Sequence, residues 1–203
     1  MLGVINYGSG NFRSVCNALE FLKIEYVPIS SAKELRKTSH IILPGVGSYK
    51  NCMSKLDELE ILEPLKQEIL DEKKFFLGIC VGHQILSTLG SEFEKVPGLD
   101  IIEGITSKIT TDIKLPVPHI GWSEVYRKRE SELFNEIEDG ATFYFVHSYN
   151  FDVKDKRFVS SITNYGGEIT ASVEKNNIFG VQFHPEKSQK NGLKLLENFS
   201  KLH

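Results

Sequence analysis

Short apolar runs alternate with helical patterns along the first half of the chain. Four runs predict strands, and they are Leu2–Asn6, Glu25–Ile29, His40–Leu43 and Phe75–Ile79. Apolar residues at helical spacing predict helices between and after these strands, beginning at Phe12, covering Ser48–Glu72, and running from about Val81 to near Gly90. Strands separated by helices indicate a parallel sheet with helices on both faces, because parallel neighbours need a crossover connection.

The second half of the chain predicts a different arrangement. Short strand candidates follow one another with turn residues between them, at Ile101–Ile109, Glu124–Tyr126, Thr142–Val146, Phe158–Thr163, Ile169–Val173 and Ile178–Phe183. We expect them to be antiparallel additions to the same sheet, followed by an amphipathic helix over Gly192–Leu202. The predicted fold class is therefore α/β, with a mixed, mainly parallel central sheet. A length of 203 residues fits a single domain over 1–203.

Composition and charge exclude several classes of function. With 40% hydrophobic residues the chain can build a sizeable core, and its net charge of −3 gives no basic footprint for nucleic acid. No apolar run is long enough to span a bilayer, and the first residues lack the pattern of a signal peptide, so we expect a cytoplasmic protein. The three cysteines form neither a disulfide framework nor a metal-ligand pattern, and no cofactor or metal is expected.

One of these cysteines has the context of a nucleophile. Cys80 lies between a predicted strand and helix, with Gly78 and Gly82 two residues to either side. This is the nucleophile-elbow pattern with sulfur in place of oxygen, in which the glycines avoid collisions of Cβ atoms within a tight turn. A helix N-terminus stabilises a thiolate, and the N–H of Val81 would point toward an oxyanion. Free cysteine usually packs in a core, and we expect that of Cys16 and Cys52.

A cysteine nucleophile needs a histidine base and a third group that orients the ring. His184 follows a predicted strand, and Pro185 favours an extended backbone for it. Residues two apart in extended chain point to the same side, so the Glu186 carboxylate can reach the ring nitrogen that faces away from the thiol. The alternative is a surface histidine and glutamate in a loop. His119 and His147 are further candidates for lining the pocket.

These segments resemble the signatures of the class I, or triad-type, glutamine amidotransferases. The resemblance is closest to the glutaminase subunits of imidazole glycerol phosphate synthase, from histidine biosynthesis. It is carried by the elbow GICVGHQ and by NYGSGN (Asn6–Asn11), LPGVGSY (Leu43–Tyr49), PHIGWSEV (Pro118–Val125), YFVHSY (Tyr144–Tyr149), and GVQFHPEKS with the following GLKLLENF (Gly180–Phe199). The segments occur in the family's order and cover essentially the whole chain.

The resemblance implies a role for each matching position. The triad would be Cys80, His184 and Glu186, and the residues completing the oxyanion hole beside Val81 would be Val46 and Gly47, through a peptide flip that occurs when the partner is engaged. Residues that help to hold glutamine would be Gly45, Gln84, Glu92, Ser148 and Tyr149. Residues at or near the partner interface would be Asn11, Trp122, Tyr144 and Lys187. The partner would be a (β/α)8 cyclase that receives ammonia through an internal passage.

Three alternatives remain open at this stage. His83 stands where this subfamily usually has methionine, and Ser123 where asparagine is expected, which leaves room for a paralogue that supplies ammonia to another acceptor, such as a bacterial surface-sugar amidating enzyme. The second alternative is a cysteine hydrolase acting on peptides or γ-glutamyl compounds. The third is a catalytically silent scaffold that regulates a partner.

Overall fold

The computed structural model describes residues 1–111 and 115–203, which contain thirteen strands and six α-helices. The strands are β1 (Leu2–Ile5), β2 (Tyr26–Ile29), β3 (His40–Leu43), β4 (Phe75–Ile79), β5 (Leu89–Gly90), β6 (Val96–Pro97), β7 (Gly104–Lys108), β8 (His119–Arg127), β9 (Ala141–His147), β10 (Tyr149–Val153), β11 (Val159–Asn164), β12 (Glu168–Lys175) and β13 (Ile178–Val181). The helices are α1 (Phe12–Phe21), α2 (Ala32–Leu35), α3 (Tyr49–Glu58), α4 (Leu62–Leu70), α5 (Val81–Gln84) and α6 (Gln189–Ser200). None of the described helices is long and apolar enough to cross a membrane.

The central sheet is mixed, and its order is β2-β1-β3-β4-β13-β12-β11-β8-β9. The first five strands of this order are parallel, and β12, β11, β8 and β9 each run antiparallel to the preceding neighbour. The strand order reverses direction after β2. Since crossovers are right-handed, this reversal places α1 on one face of the sheet and α2, α3 and α4 on the other. The carboxyl ends of β4 and β13 lie side by side, which is where open α/β sheets bind ligands.

A second, four-stranded sheet departs from the predicted arrangement. Its order is β10-β7-β5-β6, with β7 antiparallel to β10 and parallel to β5. The candidate strand Ile101–Ile109 contains β7, so the prediction that it extends the central sheet is wrong. The sequence pattern also omitted β5, β6, β10 and α2, which are short or carry polar residues.

The helix predicted from Val81 to near Gly90 is wrong in length, because α5 ends at Gln84. The carbonyls of Ile85 and Leu86 accept hydrogen bonds from the N–H groups of Leu99, Ile101 and Ile102. These two carbonyls are therefore already hydrogen-bonded to a distant segment, and that pairing competes with the hydrogen bonds that would continue the helix. The apolar residues that suggested a longer helix are buried in this packing instead.

One contiguous buried cluster joins elements from both halves of the chain. It includes Val4 of β1, Leu77 of β4, Phe143 of β9, Val181 of β13 and Phe199 of α6, each of which is fully buried. The strands β4 and β13, whose carboxyl ends lie side by side, are therefore embedded in the core, which restricts their movement relative to each other.

The end of β4 packs against two other backbone segments without space for side chains. A Cβ atom at Gly78 would lie 2.3 Å from the carbonyl oxygen of Gly82, and a Cβ atom at Gly82 would lie 2.3 Å from the carbonyl oxygen of Leu43. Both distances are far below van der Waals contact, so these two positions require glycine.

We predict that Gly78→Ala destabilises the protein by about 1–3 kcal/mol or more, because the added methyl group must displace backbone. The measurement is the free energy of unfolding in urea. Gly10→Ala is the matched control, since a Cβ atom there would meet the Val46 side chain at 3.2 Å, and a side chain can yield. Equal stability of Gly78→Ala and wild type would contradict this account of the packing.

Candidate active site

Cys80 occupies a strained turn between β4 and α5. Its φ of 53° and ψ of −105° lie in a region that residues other than glycine rarely adopt, at a cost of about 1–3 kcal/mol. The Cys80 N–H donates to the carbonyl of Val181 over 2.8 Å, which fixes the turn to the end of β13. The elbow predicted from the flanking glycines is therefore present, and it places the thiol at the carboxyl edge of the sheet.

The helix after Cys80 is a single turn, which is shorter than the sequence predicted. Four residues carry only a small macrodipole, so the expected stabilisation of a thiolate by a long helix does not apply. The remaining electrostatic contribution comes from single N–H groups. Val81 is the first residue of α5, so its N–H makes no hydrogen bond within the helix.

His184 and Glu186 form a buried hydrogen-bonded pair beside this turn. The His184 N–H donates to the carbonyl of Tyr144 over 2.9 Å, and Nδ1 lies 2.8 Å from Oε1 of Glu186, with both side chains fully inaccessible to solvent. A carboxylate only accepts, so Nδ1 carries the proton. The ring nitrogen Nε2 has no hydrogen-bond partner among the described residues, and the Cys80 thiolate lies close enough to the ring to raise its pKa.

The charges of the three groups support one another. Burial alone would lower the pKa of His184, but the Cys80 thiolate and the Glu186 carboxylate outweigh it and raise that pKa. Burial would likewise raise the pKa of Glu186, and the imidazole of His184 lowers it instead. The arrangement therefore favours an imidazolium at His184, held next to the Glu186 carboxylate.

Asn11 contacts this pair instead of presenting its side chain to solvent. It was expected at or near a partner interface, but it is 2% exposed, and its Nδ2 donates to Oε1 of Glu186 over 3.0 Å. The hydroxyl of Ser9 in turn donates to the Asn11 Oδ1 over 2.5 Å. Glu186 lies 175 positions further along the chain, so no local pattern could reveal this contact.

Two glutamines connect the thiol to the cleft wall. Nε2 of Gln182 lies 3.6 Å from Sγ of Cys80, and its Oε1 accepts from Nε2 of Gln84 over 2.9 Å. Sequence reasoning missed Gln182, although its place two residues before His184 in an extended segment was the available signal.

A cleft of about 500 Å³ opens beside Cys80. Its walls include Cys80 and seven of the eight residues predicted for the oxyanion hole and for substrate binding, which are Val46, Gly47, Val81, Gln84, Glu92, Ser148 and Tyr149. Four further residues line it, Pro118, Val146, His147 and Lys187. Gly45 is not on this wall, because it packs against α5, where a Cβ atom would lie 2.9 Å from the N atom of Gly82. Of the two candidate histidines, His147 reaches the cleft and His119 lies behind it.

The loop opposite Cys80 has room to change conformation at one position. Gly47 has a φ of +109°, and a Cβ atom there would meet nothing within 4 Å. Next to the loop, Glu92 accepts a hydrogen bond from the N–H of Tyr49 over 2.7 Å and is thereby fixed to the start of α3.

Of the remaining predicted interface residues, Trp122 and Tyr144 lie on one face of β8 and β9, and Lys187 lies in a 3-10 turn, Pro185–Lys187, next to them. Trp122 is 47% exposed, pairs with Tyr144 across the two strands, and meets its ring edge-on at 5.9 Å. Nζ of Lys187 lies 5.8 Å above the Tyr144 ring, so this lysine borders both the cleft and the aromatic residues. We call Ile120, Trp122, Tyr126 and Tyr144 the aromatic face. In residues 1–111 and 115–203, no group of three or more His, Cys, Asp or Glu side chains could hold a metal ion.

Comparison with known proteins places the chain in a family. The model of the class-I glutamine amidotransferases matches residues 3–202. The chain is 43% identical over 202 residues to imidazole glycerol phosphate synthase subunit HisH 1 of Campylobacter jejuni, and 41% identical over 205 residues to subunit HisH of Leptospira borgpetersenii. In both cases the match covers 100% of each chain.

Solved structures agree at the level of the fold. A crystal structure of a glutamine amidotransferase has a TM-score of 0.75 at 18% identity, and the PurLQS structure from Thermotoga maritima has a TM-score of 0.75 at 21% identity. Each alignment covers 98% of this chain and 96% of the other chain. This confirms the predicted mixed α/β fold. On the match over residues 3–202 and the identities above, the chain belongs to the class-I glutamine amidotransferase family.

Proposed function

We propose that the chain is the glutaminase subunit of an imidazole glycerol phosphate synthase. It hydrolyses glutamine to glutamate and ammonia, and a (β/α)8 cyclase partner uses the ammonia in histidine biosynthesis. The observation that carries the proposal is the fully buried His184–Glu186 pair beside the Cys80 elbow. The family match over residues 3–202 and the single contiguous core support a further point, that the whole chain acts as one domain.

The proposed reaction begins with the thiolate of Cys80. The sulfur adds to the carboxamide carbon of glutamine, and the electrons of the C=O bond move to oxygen. Collapse of this adduct expels ammonia with the proton from Nε2 of His184 and leaves a thioester. Water then adds to the thioester, and His184 accepts its proton. The second collapse expels the sulfur as a thiolate beside the His184 imidazolium, which restores the starting state, and the new γ-carboxylic acid loses its proton to solvent as glutamate.

Glu186 and Asn11 serve this cycle without touching the substrate. The carboxylate accepts from Nδ1 of His184 and so keeps Nε2 available for the thiol and the leaving ammonia. The Asn11 amide donates to the same oxygen, Oε1, over 3.0 Å and so helps to hold the carboxylate in place. Because both oxygens of Glu186 are buried, losing either contact would leave a charge poorly compensated.

The cleft supplies the groups proposed to hold glutamine and its oxyanion. Gln84, Glu92, Ser148 and Tyr149 offer amide, carboxylate and hydroxyl groups that can pair with the amino and carboxylate ends of an amino acid. We assign the oxyanion to the N–H of Val81, completed by an N–H from Val46–Gly47, and Gly45 shapes this wall through its packing on α5. Oxyanion stabilisation is usually the largest single term in such reactions.

Activation by the partner is proposed to act on the loop at Val46 and Gly47. The left-handed φ of Gly47 and the open space around it permit a peptide flip at low steric cost. We therefore expect weak glutaminase activity from the isolated chain and a large increase in the complex. This dependence on the partner would prevent glutamine from being hydrolysed when no acceptor for the ammonia is bound.

The aromatic face is the proposed docking surface for the cyclase. Exposed aromatic residues are enriched at the energetic centres of interfaces, and Trp122 and Tyr144 lie beside Lys187 at the rim of the cleft. A partner seated there would cover the cleft and receive ammonia directly. Asn11 would act behind this surface, through Glu186.

We predict that Cys80→Ala abolishes glutamine-dependent synthesis in the complex, with a loss of at least about 10³-fold, but preserves synthesis from added ammonium salts. Cys16→Ala, which also shortens a buried cysteine, is the control and should retain both activities. Glutamine-dependent activity in the Cys80→Ala complex would contradict the mechanism. If the wild-type chain supported synthesis only with a different ammonia-accepting enzyme, the proposed pathway would be wrong and the glutaminase chemistry would stand.

We predict that Glu186→Gln lowers the pKa of His184, because the substitution removes a negative charge next to Nδ1. The measurement is an NMR titration of protein labelled with ¹⁵N-histidine, in which a His184→Asn variant assigns the resonance. His40, whose Nε2 lies 3.0 Å from the Leu202 carbonyl, is an internal control that should titrate as in wild type. An unchanged or raised His184 pKa would show that the carboxylate does not act on this ring.

We predict that Trp122→Ala weakens the affinity for the cyclase by about 30-fold, as expected for a central interface residue worth about 2 kcal/mol. Binding is measured by isothermal titration calorimetry. Phe21→Ala removes a residue that is 74% exposed on α1 and should leave the affinity unchanged. Equal affinities for the two variants would place the docking surface elsewhere.

A further inference from the structure

A chain of hydrogen bonds runs from β8 to the substrate side of the cleft. Oγ of Ser123 lies 2.8 Å from Nε2 of His119, and Nδ1 of His119 lies 3.0 Å from Nε2 of His147. Nδ1 of His147 lies 2.8 Å from the carbonyl oxygen of Tyr149. Three side chains therefore connect in series to one backbone carbonyl at the cleft.

The carbonyl at the end of this chain fixes the direction of every bond. A carbonyl oxygen only accepts, so Nδ1 of His147 carries a proton. Burial lowers the pKa of His147 to about 3 and that of His119 to about 4, so both rings are neutral near pH 7. Nε2 of His147 is then an acceptor, Nδ1 of His119 is the donor to it, and Nε2 of His119 accepts from the hydroxyl of Ser123.

Packing holds His119 in place but keeps it away from the substrate. Its ring is stacked between Tyr165, with a centroid distance of 3.9 Å, and Phe145, at 4.9 Å, and the residue is 1% exposed. His147 lies between His119 and the cleft. Any effect of His119 on glutamine must therefore pass through His147.

The carbonyl that receives the chain belongs to the segment proposed to hold glutamine. The Tyr149 carbonyl also accepts from Nε2 of Gln84 over 3.1 Å. The preceding carbonyl, of Ser148, accepts from the N–H of Ile109 over 2.9 Å. Hydrogen bonds to both carbonyls thus hold the Ser148–Tyr149 segment. One of the two donors to the Tyr149 carbonyl is His147, and the hydrogen bond from His119 determines which nitrogen of His147 carries the proton.

We propose that His119 and Ser123 are positioning residues for the glutamine site, holding His147 in the form that donates to Tyr149 and thereby fixing the Ser148–Tyr149 segment. The proposal rests on the proposed glutaminase function. We expect the effect to fall mainly on glutamine binding. The series of hydrogen bonds ends at the Ser148–Tyr149 segment, which is proposed to hold the substrate, and not at the sulfur of Cys80. A contact that acts equally on bound substrate and transition state changes KM and leaves kcat unaltered.

The test is His119→Phe in the complex with the cyclase, because phenylalanine keeps a planar ring between Tyr165 and Phe145 and removes both hydrogen bonds. We expect the KM for glutamine to rise about tenfold, with kcat within about twofold of wild type and with ammonium-dependent synthesis unchanged. In ¹⁵N-histidine spectra, we expect a single tautomer of His147 in wild type and a mixture of tautomers in His119→Phe.

His40→Phe is the matched control, because it also replaces a histidine that is hydrogen-bonded to a serine hydroxyl on one side. His40 lies 3.0 Å from Oγ of Ser39 and 3.0 Å from the carbonyl of Leu202, and it stacks on Phe75 at the opposite edge of the sheet. This variant should leave the KM for glutamine unchanged. A tenfold rise for both variants would mean that the effect is a general consequence of lost stability, and would overturn the proposal.

A second pair of variants keeps the test decisive if His119→Phe does not fold. Ser123→Ala removes the donor to His119 and should raise the KM for glutamine, whereas Ser123→Thr keeps a hydroxyl and should restore it. An unchanged KM in Ser123→Ala, or a rise only in the larger Ser123→Thr, would overturn the proposal. Absence of glutaminase activity in the wild-type complex would instead refute the proposed function itself.

Discussion

The backbone packing around Cys80 is the constraint on which the rest of the site depends. Gly78, Gly82 and the carbonyl of Leu43 approach so closely that a Cβ atom at either glycine would lie 2.3 Å from a backbone oxygen. This contact holds the end of β4 against the end of β3 and the start of α5. It also forces Cys80 to a φ of 53°, and the bond from its N–H to Val181 sustains that strain. The surrounding fold therefore determines the position of the thiol, in a backbone conformation that cysteine itself disfavours.

The parallel pairing of β4 with β13 brings the second part of the site to the first. Since Val181 pairs with Ile79, the residues that follow the two strands leave the sheet at the same edge, and His184 arrives beside Cys80. Glu186 then orients the ring, and Asn11 approaches from the start of α1 to hold the carboxylate. Three elements far apart in sequence therefore contribute one proton-transfer unit. Its burial strengthens the electrostatic coupling between the groups, because little water screens them.

How much the sequence could reveal depended on whether the decisive contact was local. The strand at His40–Leu43 and the strand at Phe75–Ile79 were predicted with the bounds that the structure has, because continuous apolar runs mark buried parallel strands. The spacing of His184 and Glu186 likewise predicts a hydrogen bond that the structure contains. The short α5 could not be predicted, since its end depends on a segment 14 to 16 residues further on, and neither could the contact of Asn11 with Glu186.

The most direct test of the central claim is to trap the covalent intermediate on Cys80. The complex is mixed with glutamine, quenched in acid within the first turnovers, digested, and analysed by mass spectrometry. We expect a γ-glutamyl adduct on the peptide that contains Cys80, which disappears after treatment with hydroxylamine and is absent from the peptides that contain Cys16 and Cys52. Turnover of glutamine by the complex with no adduct on Cys80 under conditions that preserve a synthetic thioester standard, or with an adduct on another residue, would contradict it.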